Sequence, residues 1–425
     1  MRVLLIHQAF VGPGEAGGTR HYELARHCAD EHGIRFTVVA SPVSYLSGQT
    51  SGRAGVEDYD GVRVLRAYTP ATLHRSFVWR IIAFLNFMIT SGWLALRSGP
   101  ADVVMGTTPP IFQAVSAWAT AAVRRRPFLL EVRDLWPEFA IDMGVLKNPI
   151  VIVLARWLER FLYARSTHLL VNSPAYRDYL IAKGIPPAKI TFIANGVEAG
   201  MFDPDPDQGQ GFRRAWGLED RFVVTYAGAL GAANDIPTLL KAAKRLSERS
   251  ERSQRSDRFD RDARPIHFLL VGDGKERANL EALTAEWQLD NVTFTGPVPK
   301  AAMPEVLAAS DACVAILQDI PMFRTCYPNK VFDYMAAGRP TVLAIDGVIR
   351  QAMEAAQGGI FVRPGDDEAL AAAITRLAAA PDRAKAMGEA ARRYVLQNFD
   401  RRQQAEQFAA LLQRLGARAK RQERG

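Results

Sequence analysis

Residues 327–340 of the chain read YPNKVFDYMAAGRP. This stretch predicts a turn that enters a helix, which ends at Gly338 and Pro340 before an apolar strand over 341–344. The N-terminus of such a helix offers unpaired amides and the positive end of the helix dipole. Lys330 in the first turn has the wrong sign for that dipole, so a bound anion would explain its presence. Asp333, one turn further, is suited to accept the hydroxyls of a ribose. The alternative is a surface helix with a stray lysine and a capping aspartate.

The sequence on both sides of this stretch alternates short apolar strands with helices. In the second half of the chain, strands are predicted at 221–226, 267–271, 292–294, 312–317, 341–344 and 360–362, with helices such as 236–246 and 366–379 between them. The first half repeats the pattern, with strands at 2–7, 35–40, 62–66, 102–105, 127–131, 168–171 and 190–193 and a helix at 19–32. Apolar runs that are separated by helices indicate parallel sheets covered on both faces.

The predicted fold class is therefore α/β, with two Rossmann-like doubly wound parallel-sheet domains that face a cleft. The join lies near 200–210, because Asp203-Pro204-Asp205-Pro206-Asp207 suits neither a helix nor a strand interior. We expect an N-terminal domain over 1–200 and a C-terminal domain over 201–394. A helix at about 395–417 is expected to pack back on the first domain. Phosphates are expected where helix N-termini face the cleft.

Composition narrows the choice of partners. The net charge of +8 and the pI near 9.5 favour an anionic partner. The charged stretches 246–264 and 418–424 are predicted to be solvated and lack interleaved aromatic residues, so nucleic acid is not expected. Cys28, Cys313 and Cys326 form neither a disulfide framework nor a zinc spacing. Residues 1–7 are predicted to form a buried strand rather than a signal peptide.

Two segments of the first half predict contact with a membrane. The apolar stretch 77–96 approaches the length of a span, but Arg80 and Asn86 lie inside it, so we favour a partly buried helix that touches a bilayer. Segment 151–165 is a predicted helix with one apolar stripe, which either packs on the sheet or rests on anionic lipid. The stripe consists of Leu154, Trp157, Leu158, Phe161 and Leu162. We expect peripheral attachment to the inner face of the cytoplasmic membrane, without a spanning helix.

The stretch at 327–340 resembles the donor-site signature of family-four retaining glycosyltransferases of the GT-B type. More narrowly, it is similar to the bacterial O-antigen and capsule branch that includes N-acetyl-L-fucosamine transferases. The family pattern has two glutamates eight positions apart; here Asp333 stands at the second position and Thr325 at the first. The resemblance implies that Asp333 binds the donor ribose through a shorter arm. Thr325, Cys326 and Tyr327 would then shape the end beside the donor sugar, and this branch commonly lacks the first acid.

The resemblance extends to the first half of the chain. Residues 17–22 look like the glycine loop that lies beside the donor diphosphate and the acceptor, and residues 133–137 resemble the Arg-Asp-Leu-Trp-Pro segment of this branch. Asn195-Gly196-Val197 matches a turn of the family. The alternatives are ordinary packing for Trp136 and Pro137, an ion pair for Arg133 and Asp134, and a plain turn for residues 195–197. The resemblance implies catalytic roles for Arg133, Asp134 and Lys330. It implies acceptor or cleft roles for Gly17, Gly18, Arg20, His21, Trp136 and Asn195.

Further donor contacts are implied in the second half. Residues 226–231 resemble the loop whose amides face the donor phosphates, and residues 296–298 resemble the turn whose backbone reads the base. The family often places Arg and Lys after the first loop, where this chain has Ala232-Ala233-Asn234-Asp235. Positive charge is therefore expected from elsewhere. The predicted donor site comprises Gly228, Gly231, Lys275, Arg277, Gly296, Val298, Thr325, Tyr327, Pro328, Asn329 and Asp333, with Lys330 as a further cation.

The predicted activity is that of a retaining, hexosyltransferase-type enzyme. It would move an N-acetylated or deoxy sugar from a UDP-type nucleotide-sugar donor to a polyprenyl-diphosphate-linked or polysaccharide acceptor. By resemblance, retention uses front-side attack, in which the leaving phosphate accepts the proton of the acceptor, so no carboxylate pair is required. Asp58-Tyr59-Asp60 and Asp203-Pro204-Asp205 match the Asp-x-Asp string of metal-dependent transferases, but one lies in a predicted hairpin and the other in the linker. No metal and no other cofactor is predicted.

Two other classes remain open from the sequence. A nucleotide-sugar 2-epimerase has the same architecture but would need catalytic carboxylates at the sugar ring, and Thr325 in place of a glutamate weakens this alternative. A non-catalytic sugar-nucleotide or membrane-scaffold protein is the second alternative, against which the set of loop glycines and Lys330 argue.

Overall fold

The computed structural model describes residues 1–15, 17–44, 48, 50, 55–72, 75–202, 207–254 and 264–422. The chain forms two compact units. The first consists of Met1–Pro13, Gly18–Asn195 and Arg401–Gly425, and the second of Gly14–Gly17 and Gly196–Asp400. Each unit has a parallel or mostly parallel sheet with helices, so the predicted α/β fold class with two doubly wound domains is confirmed.

The first unit is built on an eight-stranded sheet. Its elements along the chain are β1 Arg2–Ile6, α1 Arg20–His32, β2 Arg35–Ala40, β3 Val56–Tyr59, β4 Val62–Arg66, α2 Phe77–Arg97, β5 Val103–Thr108, α3 Ile111–Arg124, β6 Phe128–Val132, α4 Glu138–Asp142, α5 Pro149–Arg165, β7 His168–Val171, α6 Pro174–Ala182 and β8 Ile190–Phe192. The strand order is β3-β4-β2-β1-β5-β6-β7-β8. All residues of β5 and β6 are buried, as expected for central strands covered on both faces.

A hairpin closes one edge of this sheet. Strands β3 and β4 pair antiparallel, with Tyr59 opposite Val62. The two residues between them, Asp60 and Gly61, have φ angles of 51° and 81°, the left-handed pair that a two-residue hairpin turn requires. The predicted hairpin around Asp58-Tyr59-Asp60 is thus present, although the prediction did not assign β3 as a strand.

The second unit carries a six-stranded parallel sheet. Its elements are α7 Gln208–Trp216, β9 Phe222–Ala227, α8 Ile236–Gln254, β10 Ile266–Val271, α9 Arg277–Glu286, β11 Val292–Gly296, α10 Met303–Ala308, β12 Ala312–Ile316, α11 Asn329–Ala336, β13 Thr341–Ala344, α12 Val348–Ala356, β14 Gly359–Phe361, α13 Asp367–Ala378 and α14 Pro381–Asn398. The strand order is β11-β10-β9-β12-β13-β14.

The last helix of the described chain, α15 Arg401–Gln422, belongs to the first unit. It packs against α1, and its apolar side chains join the core formed by β1, β2 and β5. Arg401 is almost fully buried, and its Nε donates to Oε2 of Glu23 at 2.8 Å. An apolar face and a buried ion pair therefore attach α15 to α1.

Two stretches that were predicted to be solvated loops are partly helical. Helix α8 continues to Gln254, so the prediction of a loop is wrong for the first part of 246–264. Residues 255–263 lie outside the described residues. Helix α15 continues to Gln422, and Ala419 in it is buried. Charged residues on one side of a helix are compatible with an apolar opposite side, so high charge alone did not exclude a helix. The linker string Asp203-Pro204-Asp205 also lies outside the described residues.

Helix α2 has two apolar faces. One is buried and consists of Ala83, Phe87, Ser91 and Ala95. The opposite face is exposed and consists of Val78, Ile82, Leu85, Ile89, Trp93 and Leu96. Within the described ranges, α2 is the one helix that is long and apolar enough to cross a membrane by length and composition, although a core helix can pass the same test.

The structure also corrects one alternative for segment 151–165. Helix α5 buries Ala155, Glu159, Leu162 and Tyr163, whereas Leu154 and Trp157 of the predicted stripe are exposed by 58% and 61%. The stripe therefore does not pack as a whole on the sheet. The face that packs is shifted toward Leu162.

Candidate functional site

In the sheet of the second unit, the strand order reverses between β9 and β12. The chain adds β10 and β11 on one side of β9, and then β12, β13 and β14 on the other. In open α/β sheets, ligands bind beyond the carboxyl ends of the strands at such a switch point. Strand β9 ends at Ala227 and is followed at once by Gly228, while α11 is the first α-helix after β12. The topology thus brings the predicted phosphate loop and the predicted donor helix to the same point.

The loop after β9 approaches its neighbours too closely for a side chain. Gly228 has a φ of 151°, and a Cβ there would lie 2.9 Å from Nζ of Lys330. A Cβ on Gly272, after β10, would lie 1.9 Å from the carbonyl oxygen of Gly228. Gly231 precedes a short 3-10 turn over Ala232–Asn234. The glycines therefore serve close backbone contact, and they let a lysine reach the loop.

Lys330 is half-buried at this loop, among neutral groups. Its Nζ donates to Oη of Tyr226 at 2.7 Å and to Oδ1 of Asn234 at 3.0 Å. The same atom lies 4.1 Å from the centroid of the Tyr226 ring. Because no carboxylate compensates for its burial, the pKa of Lys330 is lowered from 10.5 to about 7. An amine of this kind is well suited to receive an anionic ligand.

The N-terminus of α11 is surrounded by the predicted donor residues. Pro328 is the N-cap and gives no side-chain hydrogen bond, and Asn329 is the first helical residue. Tyr327 packs edge-on against Phe332 and Phe399, with ring centroids 5.6 and 6.1 Å apart, and burial raises its pKa to about 12. Thr325 donates through Oγ1 to the carbonyl of Met322 at 2.5 Å. These contacts fix the approach to the helix.

The turn after β11 lies beside an arginine. Gly296 has a φ of 82°, and a Cβ there would lie 3.1 Å from a terminal nitrogen of Arg277. Nε of Arg277 donates to Oε1 of Glu281 at 2.8 Å, while Lys275 is exposed in the turn after Gly274. Val298 follows the glycine and is half-buried. Arg277 is thus brought to the predicted base-reading turn.

Asp333 has a partner that the sequence did not indicate. Nζ of Lys300 lies 2.6 Å from Oδ2 of Asp333, and the two side chains are 14% and 17% exposed. Lys300 follows the turn that contains Val298 and begins a 3-10 turn over Lys300–Ala302. The predicted ribose carboxylate therefore lies against the segment that is predicted to read the base.

The sheet of the first unit has its own switch point, between β1 and β5. His7 follows β1 directly, and its Nδ1 lies 3.1 Å from Oγ1 of Thr107 in β5. The ring of His7 is 4.4 Å from the ring of His21, centroid to centroid. Burial lowers the pKa of His7 well below 6.5, and the positive charge of Arg133 lowers it further. A neutral imidazole is therefore held at this strand edge.

Glu131, the fourth residue of β6, is the centre of a buried ionic cluster. Its Oε1 lies 3.2 Å from Nε of Arg20, and its Oε2 contacts Nε2 of His21. Arg20 also donates to the carbonyl of Ile193 at 2.9 Å and to that of Ala194. Burial raises the pKa of Glu131, but the attraction of His21 and Arg20 outweighs it and holds that pKa well below 4.5. Arg20 and His21, predicted at the acceptor, are thus buried and engaged with Glu131.

Two side chains after β6 are less completely paired. Within the described part of the chain, Nε of Arg133 is buried and has no hydrogen-bond partner. Oδ1 of Asp134 lies 3.5 Å from the hydroxyl of Tyr176. Burial raises the pKa of Asp134 to about 6, against the opposing effect of Arg133 and Tyr176. This carboxyl group can therefore change its protonation state near neutral pH.

Of the remaining predicted acceptor residues, Trp136 and Asn195 have structural contacts. Trp136 lies 6.4 Å from the ring of Phe112. Asn195 is buried, and its Oδ1 accepts from Nδ2 of Asn172 at 3.4 Å. Gly17 has a φ of 143°, and Gly18 is exposed. The acceptor roles of these residues stay predictions.

Sequence reasoning missed Lys300, Glu131 and His7 as site residues. His7 and Glu131 lie at or near the ends of strands, and a polar residue in an otherwise apolar strand is a signal that was available. For Lys300 there was no such signal, since a lysine after a proline in a turn is common. Among the described residues, no group of three or more His, Cys, Asp or Glu side chains is arranged to hold a metal ion.

Two family models match the two halves of the chain. Residues 16–196 match the glycosyl transferase 4-like domain, and residues 221–380 match glycosyl transferases group 1. The chain is a group 1 glycosyltransferase of the GT-B fold.

Curated relatives agree with this assignment. The glycosyltransferase is 24% identical over 402 residues to WcaI of Escherichia coli strain K12, a protein named as a colanic acid biosynthesis glycosyl transferase, with 89% of this chain and 91% of the relative covered. It is 24% identical over 266 residues to alpha-D-kanosaminyltransferase of Streptomyces kanamyceticus, covering 62% of this chain and 64% of the relative. The nucleotide-sugar 2-epimerase alternative finds no support among these relatives.

Solved structures share the fold. A sucrose-phosphate synthase from Thermosynechococcus elongatus matches the glycosyltransferase with a TM-score of 0.76 at 21% identity, covering 98% of this chain and 99% of that one. HepE of Anabaena in complex with UDP-glucose matches with a TM-score of 0.69 at 18% identity, covering 97% and 99%. At these identities the likeness establishes the fold alone.

Proposed function

We propose that this glycosyltransferase retains the anomeric configuration and uses a UDP-type donor that carries an N-acetylated or deoxy sugar. The acceptor is a polyprenyl-diphosphate-linked sugar or a polysaccharide in cell-surface glycan biosynthesis. The observation that carries the proposal is the half-buried Lys330 side chain at the switch point of the second sheet, whose hydrogen-bond partners are both neutral. The complex of HepE with UDP-glucose supports the choice of a uridine nucleotide.

We assign the parts of a nucleotide sugar to groups of the second unit. The turn at Gly296 and Val298 would take the base, and Asp333 the ribose. The Gly228 loop, Lys330 and the N-terminus of α11 would take the diphosphate. Lys330 and Asp333 are three residues apart on one helix, which places neighbouring side chains roughly 5–6 Å apart at Cβ. That spacing suits a ribose and the adjoining phosphates.

The chemistry follows from this arrangement. Departure of the nucleoside diphosphate builds negative charge on its phosphate oxygens, and preorganised donors at that point lower the barrier. The amides of the loop, the helix N-terminus and the Lys330 ammonium are such donors. In front-side attack, the departing phosphate takes the proton of the acceptor hydroxyl, so no separate base is needed. Arg133 and Asp134 are proposed to contact the reacting sugars from the first unit.

Turnover of nucleotide sugars tests the proposal. A panel of UDP- and GDP-sugars is offered with an undecaprenyl-diphosphate sugar as acceptor, and the anomeric configuration of the product is read by NMR. Transfer from a UDP-sugar with retention is expected. Inversion, or transfer from GDP-sugars alone, contradicts the corresponding part of the proposal. The variant Lys330→Met is assayed in the same way. Lys385→Met, on the exposed surface of α14, is its matched control.

Activity is proposed to be independent of metal ions. Full turnover in excess chelator is expected, because the donors around Lys330 replace a divalent cation at the diphosphate. Loss of turnover that magnesium or manganese restores would overturn this point and turn attention to the Asp-x-Asp strings at Asp58 and Asp203.

We further propose that the enzyme rests on the inner face of the cytoplasmic membrane through the first unit. Helices α2 and α5 both pack against α3 and both expose large apolar side chains. Arginines lie against the two exposed tryptophans of α2: the guanidinium of Arg97 lies 3.7 Å from the ring centroid of Trp93, and that of Arg75 lies 5.3 Å from the ring centroid of Trp79. Tryptophan with arginine at an apolar surface is suited to the headgroup region of anionic lipid.

Sedimentation with phosphatidylglycerol liposomes tests the membrane proposal. We expect binding at low salt that weakens at high salt and is lost on replacing Ile89 or Trp93 by glutamate. Trp216→Glu, at an exposed tryptophan of the second unit, is the matched control and should bind like the wild type. No binding at low salt contradicts the proposal. Resistance to both high salt and carbonate would instead indicate that α2 spans the bilayer.

A further inference from the structure

Lys300 is the residue of the second unit whose placement calls for an explanation. It lies two positions after Val298, in the segment that joins β11 to α10. Its side chain crosses to α11, where its Nζ lies 2.6 Å from Oδ2 of Asp333. It connects the segment beside the base-reading turn to the helix that carries the phosphate lysine.

The surroundings of this ion pair restrict its geometry. Nζ of Lys300 lies 5.2 Å from the ring centroid of Phe202, so an aromatic face holds the ammonium from one side. The side chains of Lys300 and Asp333 are 14% and 17% exposed, so the pair is largely shielded and yet reachable by a ligand. An ammonium has three N–H donors. Within the described chain, Asp333 is the single acceptor that Lys300 contacts.

We propose that Lys300 completes the ribose site together with Asp333. The ammonium fixes the Asp333 carboxylate and donates a hydrogen bond to an oxygen of the ribose diol, while the carboxylate accepts from the neighbouring hydroxyl. An aspartate has one methylene less than a glutamate, and a long lysine arm anchored on Phe202 closes the gap. This inference rests on the proposed function, because it takes Asp333 as the ribose ligand.

A merely structural ion pair makes a different prediction. If Lys300 only stabilises the fold, its removal lowers the melting temperature and weakens all nucleotides alike. If it contacts the ribose, the loss of affinity depends on the hydroxyl groups of the ligand. Comparison of a ribonucleotide with its deoxy analogues therefore separates the two.

The experiment is calorimetric titration of the full chain with the nucleoside diphosphate that the wild type binds, chosen from UDP, GDP and ADP. The 2′-deoxy and 3′-deoxy forms of that nucleotide are titrated in parallel. Lys300→Met is expected to weaken the ribonucleotide by about tenfold, the lower end for a hydrogen bond from a charged group because the site is partly exposed. For at least one deoxy form the loss should be smaller than threefold, which is less than about half of the tenfold loss on a logarithmic scale.

Three further variants sharpen the result. Lys300→Arg keeps the charge and the donors, and should restore most of the affinity. Asp333→Ala should lose more affinity than Lys300→Met for the ribonucleotide. Lys244→Met is the matched control, because Lys244 also rests on an aromatic ring of the same unit, 5.3 Å from that of Trp287, and should bind nucleotide normally.

The outcomes are decisive. The inference is overturned if Lys300→Met loses the same affinity for the ribonucleotide and both deoxy forms, keeps its affinity unchanged, or binds more tightly. In each of these cases, nucleotide binding by the wild type leaves the proposed function standing. If the wild type binds no nucleoside diphosphate, the proposed function fails and the inference fails with it. Should Lys300→Met lose its thermal transition, Lys300→Gln decides the same comparison, since it keeps a hydrogen-bond donor without the charge.

Discussion

Each unit holds a charged group near the carboxyl end of its sheet, Glu131 within β6 and Lys330 at the start of α11, and the two groups are compensated in opposite ways. In the first unit, Glu131 lies between Arg20 and His21 and is ionised. In the second, Lys330 lies between a phenol and an amide, and its pKa is lowered to about 7. Burial acts on both groups, but a counter-charge compensates it in the first case alone.

The difference separates structural charges from charges held for a ligand. A buried charge with ionic partners has its desolvation offset within the fold, and removing one member leaves the others uncompensated. For an amine removed from water with neutral partners, no negative charge within the fold offsets the desolvation of its ammonium form. A bound anion supplies that charge. We therefore expect Glu131 to govern stability and Lys330 to govern affinity.

The largest expected effect is on stability. Glu131→Gln should lower the free energy of unfolding of the first unit by about 3–5 kcal/mol, because it leaves the buried Arg20 guanidinium without its counter-ion. Urea denaturation measures this loss. Glu354→Gln, which removes the partner of the exposed Arg350, is the control and should cost less than about 1 kcal/mol. Equal, small losses for both variants would remove the distinction between the units.

The next effect is on binding. Lys330→Met should weaken a nucleoside diphosphate by about 1.5–3 kcal/mol, since a hydrogen bond between two charged groups is lost. The affinity for the corresponding nucleoside monophosphate should fall less, and the thermal stability of the variant should stay level or rise. Lys275→Met is expected to show the same preference to a smaller degree, because Lys275 is exposed. Losses of the same size for mono- and diphosphate would mean that the lysine does not reach the β-phosphate.

A third effect is a pH dependence that Glu131 cannot produce. Above pH 7 the amine of Lys330 is mostly neutral in the free enzyme, because its pKa is about 7. A bound diphosphate raises that pKa, so binding takes up a proton and affinity falls as the pH rises, by at most about tenfold per unit. Calorimetry at pH 8 in buffers of different ionisation enthalpy measures the uptake. Proton release, or no exchange, contradicts the assignment; Lys330→Met should abolish the uptake.

The smallest effect concerns Asp134, a half-buried carboxyl beside the hydroxyl of Tyr176. Its folded pKa of about 6 lies above the ordinary 3.8, so its contribution to stability is full at low pH and is lost as the pH rises through 6. At pH 7.5, Asp134→Asn should therefore raise the melting temperature, by about 2–4 °C. The gain should disappear at pH 4. If Asp134 acts in catalysis, the same variant is slow in turnover.

Much of this fold follows from the sequence, because apolar runs bounded by glycine and proline report strands locally. The strands at 35–40, 62–66, 168–171 and 341–344 have the predicted bounds. The helix from Asn329 and the placement of Lys330 beside the Gly228 loop also agree with the motif. Local chemistry determines these features, so a local pattern is enough to predict them.

Features that depend on distant partners were out of reach. The contact of Lys300 with Asp333 requires knowing that the segment after β11 reaches α11, which no spacing reveals. Likewise, Glu131 reads as an ordinary polar residue until Arg20 and His21 are brought to it from α1. Helix α8 is longer than the predicted 236–246, because a highly charged stretch can continue a helix.

Helix α15 has a consequence for how the protein is made. Its side chains Phe408, Leu412 and Leu415 fill the core of the unit whose sheet ends at β8, and Arg401 neutralises Glu23 there. During translation, residues 196–400 are synthesised after that sheet and before this helix. The second unit is therefore complete in the nascent chain before the first one is, and the first must remain open, with apolar surface for a chaperone to shield, until translation has passed α15.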